Sequence, residues 1–195
     1  GVVNRDLTRA DWWNAEWQLA WTGWSGHRLL GGIELRSQPR VLQRNFDVAP
    51  RADNLDDHHT NHGAGIFVQD EWRIAPGWLT NIGLRIDSRE GASPIASPRA
   101  ALIWHPRDEL TLKLMSGLAF RAPNDYERHY GDSGATQKGN PDLNTERIHT
   151  REAALEFTPT PTLRFGLGHY RYEVRDLVEQ ETDPADGLLV YRNRD

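Results

Sequence analysis

Residues 64–87 read AGIFVQDEWRIAPGWLTNIGLRID, and their period sets the fold class. Ala64, Ile66, Val68, Trp72 and Ile74 fall on one side, with Asp70 the one charge among them, while Phe67, Gln69, Glu71 and Arg73 fall on the other. After Pro76 and Gly77 the same alternation resumes: Trp78, Thr80, Ile82, Leu84 and Ile86 oppose Asn81, Gly83, Arg85 and Asp87. A period of two belongs to a strand, and a Pro-Gly break between two such runs is a turn. Working outward, Trp13 to Trp21, Leu29 to Arg36 and Leu110 to Phe120 repeat the pattern, and further candidates lie at 98–105, 148–157, 162–174 and 187–193. The expectation is an all-β, antiparallel up-and-down chain of about nine strands.

Alternation does not say which face is wet, because a soluble barrel hides its apolar side and a membrane barrel shows it to lipid. Segment length and connection length separate the two. The runs approach ten residues, the length of a tilted membrane strand, whereas ordinary strands average five or six. Connections at 22–27, 75–77, 106–109 and 158–161 are short, and those at 37–62, 88–97, 121–147 and 175–186 are longer. Short turns on one side and long loops on the other match short periplasmic turns and long extracellular loops. Trp21, Trp24, Trp72, Trp78, Trp104 and Phe157 gather at the short-turn ends, where an interfacial belt belongs. His169 joins Asp70 as an intruder on the apolar faces and is read as a bulge or a change of register.

The rest of the composition narrows the function. The chain has 195 residues, a net charge of -5 and a mean hydropathy of -0.71, with no apolar run long enough for a transmembrane helix. No basic block marks a nucleic-acid partner. Zero cysteines exclude disulfides, thiolate metal sites and cysteine nucleophiles. Gly1 is not followed by a secretory signal, so the expectation is a processed chain or a fragment. No Ser-His-Asp set, phosphate loop or zinc-enzyme spacing stands out, and Glu152 and Glu156 on one strand face lie about 13 Å apart, too far for a glycosidase pair. An enzyme is not expected, and no cofactor is.

One connection carries more information. Phe120, Arg121, Ala122 and Pro123 close a strand, Tyr126 and Glu127 follow, and then come Gly139, Asn140, Pro141, Asp142, Leu143 and Glu146. This order resembles the barrel of TonB-dependent outer-membrane receptors, and Phe67 to Trp72 followed by Gly83 to Asp87 is similar to another stretch of those barrels. The resemblance implies a bacterial outer-membrane location, contact with outer-membrane lipid, and uptake of a chelated nutrient, siderophore-iron or cobalamin-like. It also implies a barrel of twenty-two strands closed by a plug through which the TonB complex supplies energy. Residues 1–195 then form a partial barrel in which no plug domain is present. A passive or structural outer-membrane barrel and a soluble ligand-binding β-barrel are the alternatives.

Two groups of residues are candidates for binding. Arg121, Tyr126 and Arg128 lie in the long loop, where charge and stacking suit an anionic or aromatic chelate. Barrel architecture explains the same prolines and glycines as strand stops and turns. The run Asp56, Asp57, His58, His59, Thr60, Asn61, His62 offers His58, His59 and His62 as metal ligands, set against a plain solvated loop. Inward-facing Glu34, Arg36, Arg85, Asp87 and Lys113 are expected to form a polar wall of mixed sign.

Overall fold

The computed structural model describes residues 2–90 and 92–195. Its elements run β1 (Asn4–Trp21), β2 (His27–Asp47), β3 (Ala52–Ala75), β4 (Trp78–Arg89), β5 (Ile95–Arg107), β6 (Leu110–Arg121), α1 (Asp125–His129), β7 (Glu146–Thr160), β8 (Leu163–Arg175), β9 (Leu177–Thr182) and β10 (Leu189–Arg194). β1 to β8 form one antiparallel meander in sequence order, and β9 pairs with β10 as a separate hairpin. Among the described residues no helix is long and apolar enough to cross a membrane.

The sheet is inside out relative to a soluble protein. Ile82 is 58% exposed and Leu167 72%, and Trp17, Leu35, Ile66 and Leu84 are also exposed on the apolar face. The described residues bury only Val41, Leu143 and Val190 among hydrophobics, against a larger set of polar groups that includes Glu34, Gln43, Asn45 and Glu146. Leu84 faces outward instead of meeting a dry centre, so the soluble-barrel alternative lacks the apolar interior it needs. At the short-turn ends the aromatics form a girdle. Trp21 meets Trp24 edge-on at 4.7 Å, Trp78 stacks on Trp104 at 4.9 Å, and Phe157 stacks on Phe165 at 6.3 Å. The turn between β3 and β4 is Pro76–Gly77, with Gly77 at φ +77°.

Both intruders on the apolar side are accounted for. Asp70 sits near a short turn, and its carboxylate lies 2.8 Å from His27 Nδ1 on the neighbouring strand. His169 is no bulge: it lies in unbroken register opposite Ala153. The next rung on that face, Ser116, Arg151 and Arg171, is polar and exposed, so His169 marks the upper border of the apolar band.

On the opposite face, Glu34 is 4% exposed and accepts from Arg36 Nε and Arg85 Nη2, each at 2.6 Å. Arg85 also binds Asp87. Arg85 lies on β4 and Glu34 on β2, so the guanidinium crosses β3 at Gly65, where any Cβ would collide with it. Glu34, Arg36, Arg85 and Asp87 of the polar wall thus form one connected network, and Lys113 pairs separately with Glu156 at 2.6 Å.

Three expectations about the connections are corrected. The span 37–62 is not a loop: β2 and β3 run on as 21- and 24-residue strands and turn at 48–51. Beyond the bilayer both faces of a hairpin are wet, so apolar alternation stops while backbone pairing continues. The span 175–186 contains β9, which raises the strand number to ten. The connection at 88–97 shrinks to 90–94 because β4 and β5 extend into it. Among the described residues only 122–145 is a long connection, and it contains the short helix α1.

Candidate functional site

The extended hairpin of β2 and β3, with β1 beside it, makes a blade on which the 122–145 loop rests. Asn45, 2% exposed, donates to Asn4 Oδ1 at 2.9 Å and Asp6 Oδ1 at 2.6 Å, and it accepts from Asn54 Nδ2 at 2.9 Å. Tyr130 from the loop donates to Asp6 Oδ1 at 2.7 Å and lies 3.1 Å from Asn45 Nδ2. Burial, with the Asp6 contact second, pushes the Tyr130 phenol up to about 12. Ser133 donates to the Asn54 carbonyl at 2.7 Å. A blade whose core is amide and carboxylate holds its partner by directed hydrogen bonds rather than by apolar area.

The loop begins with a capping box. Asn124 accepts from the Glu127 amide at 2.9 Å, and Glu127 accepts from the Asn124 amide at 2.8 Å. Arg121, at the end of β6, clamps this turn to the next strand. Its Nη1 reaches Glu127 at 2.9 and 3.0 Å, while Nε and Nη2 grip Glu146 at 2.5 and 2.7 Å. Glu146 also accepts from the Val178 amide at 2.7 Å. The guanidinium is therefore engaged by the protein itself. Tyr126 stacks on Tyr130 at 4.3 Å, meets Tyr191 edge-on and donates to Gln137 at 3.3 Å, so its ring joins the loop to β10. Arg128 faces a cleft and donates through Nη2 to the Pro141 carbonyl at 2.9 Å.

That cleft has a volume of about 480 Å³ and lies between the loop and strands β1 to β4. Trp12, Arg36, Asn61, Arg89, Asp125 and Arg128 are among the residues that line it. Sequence reasoning passed over Trp12 and Arg89. Trp12 lies at the irregularity between Asp11 and Trp13, and Arg89 is the last residue of β4, where a one-residue change of phase decides the face.

The three histidines grouped in the sequence are not brought together. In a strand, successive side chains point to opposite sides, so His59 turns toward the loop while His58 and His62 turn away. His58 pairs with Asp56 at 2.9 Å, and His62 lies 3.1 Å from Ser37 Oγ. His59 instead meets Asp57 through Nδ1 and Asp125 through Nε2, each at 2.9 Å, with the His129 ring 4.9 Å away. Partial desolvation lowers the His129 imidazole below its ordinary value. The signal for Asp125 and His129 was present as an i, i+4 pair behind the Asn124–Glu127 box.

An open antiparallel meander with lipid-facing apolar residues, an aromatic girdle and a loop folded over its polar side is a portion of an outer-membrane barrel wall. Residues 3–195 match the family described as TonB dependent receptor-like, beta-barrel, and the chain belongs to it. The chain is 25% identical over 164 residues to the iron-regulated outer membrane virulence protein of Vibrio cholerae, a match covering 82% of this chain and 24% of that protein. It is 25% identical over 134 residues to the ferric enterobactin receptor of Pseudomonas aeruginosa, covering 62% and 18%. The solved siderophore receptor PirA of Pseudomonas aeruginosa superposes with a TM-score of 0.70 at 20% identity, over 97% of this chain and 34% of that one. The chain thus spans about a quarter of the length of the curated relatives it matches. Its place is the bacterial outer membrane, in a family of receptors and not of enzymes.

Proposed function

We propose that this chain is part of the barrel of a receptor that takes up a ferric siderophore across the outer membrane, with the TonB complex acting through a plug domain encoded outside these residues. Family membership and the iron-linked names of the relatives support the ferric class ahead of a cobalamin-like one. The cleft under the 122–145 loop carries the proposal. Arg36, Arg89 and Arg128 face it with an indole, Trp12, beside them, a set that suits an anionic chelate with aromatic donors. Arg128 is the ligand-facing member of the loop, while Arg121 and Tyr126 position the loop that carries it. A passive barrel has no use for a loop held over its polar face by so many directed bonds.

The test uses the complete receptor in detergent, with ferric enterobactin as the first probe and other ferric siderophores beside it. Arg89→Ala with Arg128→Ala is expected to weaken binding about tenfold, equivalent to about 1.4 kcal/mol, with barrel assembly unchanged. Unchanged affinity for every ferric probe that the parent binds would overturn the assignment of the cleft.

A further inference from the structure

We propose that His59, Asp125 and His129 form a binding site for a divalent first-row transition-metal ion, of the zinc class, which staples α1 to β3. One donor atom from each of the three lies within 4.8 Å of the others. Two come from one face of α1, four residues apart, and the third from the inner side of β3, so the set joins two elements distant in sequence. Imidazole with carboxylate is the donor combination that borderline divalent ions prefer over magnesium or calcium, which favour all-oxygen shells. Tetrahedral zinc, with bonds near 2.05 Å, places its donors about 3.3 Å apart, so a rotamer-scale closure converts this arrangement into a site.

Two further observations point to a cation. Asp57 lies 2.9 Å from His59 Nδ1, the nitrogen opposite the one that faces Asp125. A carboxylate behind an imidazole is the arrangement that fixes the tautomer and orientation of a metal-ligating histidine. Both ring nitrogens of His59 and Oδ2 of Asp57 are also buried without completing a hydrogen bond of good geometry, in spite of these short contacts. Buried polar atoms seldom stay in that condition without cause; an ion at the centre gives His59 Nε2 a partner directly and leaves Nδ1 to donate to Asp57. Asn61 steadies the remaining ligand, donating to the Asp125 carboxylate at 3.1 and 3.2 Å. The site borders the cleft of the ferric-chelate proposal, sharing Asp125 with its lining, but the ion binds protein atoms directly and brings no chelator.

The experiment titrates Zn²⁺ alone into the complete receptor in detergent by calorimetry, with Co²⁺ absorption as the spectroscopic reading of a tetrahedral site. His59→Ala and His129→Ala are expected to abolish the binding event, and Asp57→Asn to weaken it about 10- to 100-fold. His58→Ala and His62→Ala are expected to leave it intact. Retention of full Zn²⁺ affinity in both His59→Ala and His129→Ala, or equal loss in His58→Ala, would overturn the site. Heat-modifiable gel mobility of the assembled barrel, measured on the same variants, confirms that they are folded whether or not a ferric chelate binds, which keeps the two proposals apart.

Discussion

Arg121 binds two carboxylates at once, and each is more buried than the arginine: Glu127 and Glu146 side chains are 11% and 5% exposed. Removing the guanidinium leaves both without their counter-cation, which costs more than the pair itself contributes. Because Arg121 is itself 41% exposed, solvent screening trims that cost. Arg121→Ala is expected to lower the free energy of loop opening by about 2 kcal/mol, read as an increase of about thirtyfold in protease cleavage within 122–145. Arg121→Lys should not restore protection, since an ammonium cannot grip Glu146 through two parallel donors while also reaching Glu127. Arg121 was legible as important from its place in the Phe-Arg-Ala-Pro run. Its partners were not, because Glu146 lies 25 residues away and only the return of β7 beside β6 brings it close.

At the scale of elements, the spanning strands were legible wherever lipid imposes a one-sided demand. On β4 the run Ile82, Leu84 and Ile86 is exposed outward, and Gly83 is buried between them. Ile82→Arg puts a charge in the apolar band, and the expected loss is about 3 kcal/mol in barrel stability, measured by reversible unfolding in lipid vesicles. Asn81→Arg on the other face should cost far less. The extensions of β2 and β3 escaped the same reasoning. Asp, Asn and His are poor strand formers, and water on both sides erases the alternation. Cross-strand bonds such as Asn61 to Gln38 at 3.1 Å hold this part of the hairpin instead.

Across the whole molecule, the eight-stranded sheet and the β9–β10 hairpin meet through the loop. Lys138 donates to Asp183 and Asp186 at 2.6 Å each, and Arg192 donates to Asp183 at 2.8 Å. The Lys138 ammonium, helped by the Ala185 amide, holds the Asp183 carboxyl at about 2, against 3.8 for a free side chain. A depressed carboxyl contributes its stability fully above the unfolded value and loses it as the pH falls toward the folded one. Protection factors of the β9 and β10 amides, which correct for the intrinsic slowing of exchange in acid, are therefore expected to hold down to about pH 4 and to drop between about pH 4 and 2. Asp183→Asn should remove the pH dependence by leaving the hairpin looser throughout.

By itself the sequence determined the strand period, the lipid-facing side and the girdle, because each follows from neighbours along the chain and from a solvent that differs on the two faces; it offered four long connections where the fold keeps one among the described residues. The family followed from motifs in a set order. Tertiary structure alone decided which side chains converge. Pleating set His59 apart from His58 and His62, register carried Arg85 across Gly65 to Glu34, and folding of the loop onto the blade brought Asp125 and His129 to His59. Convergence depends on pairings between distant segments, and local periodicity carries no record of them.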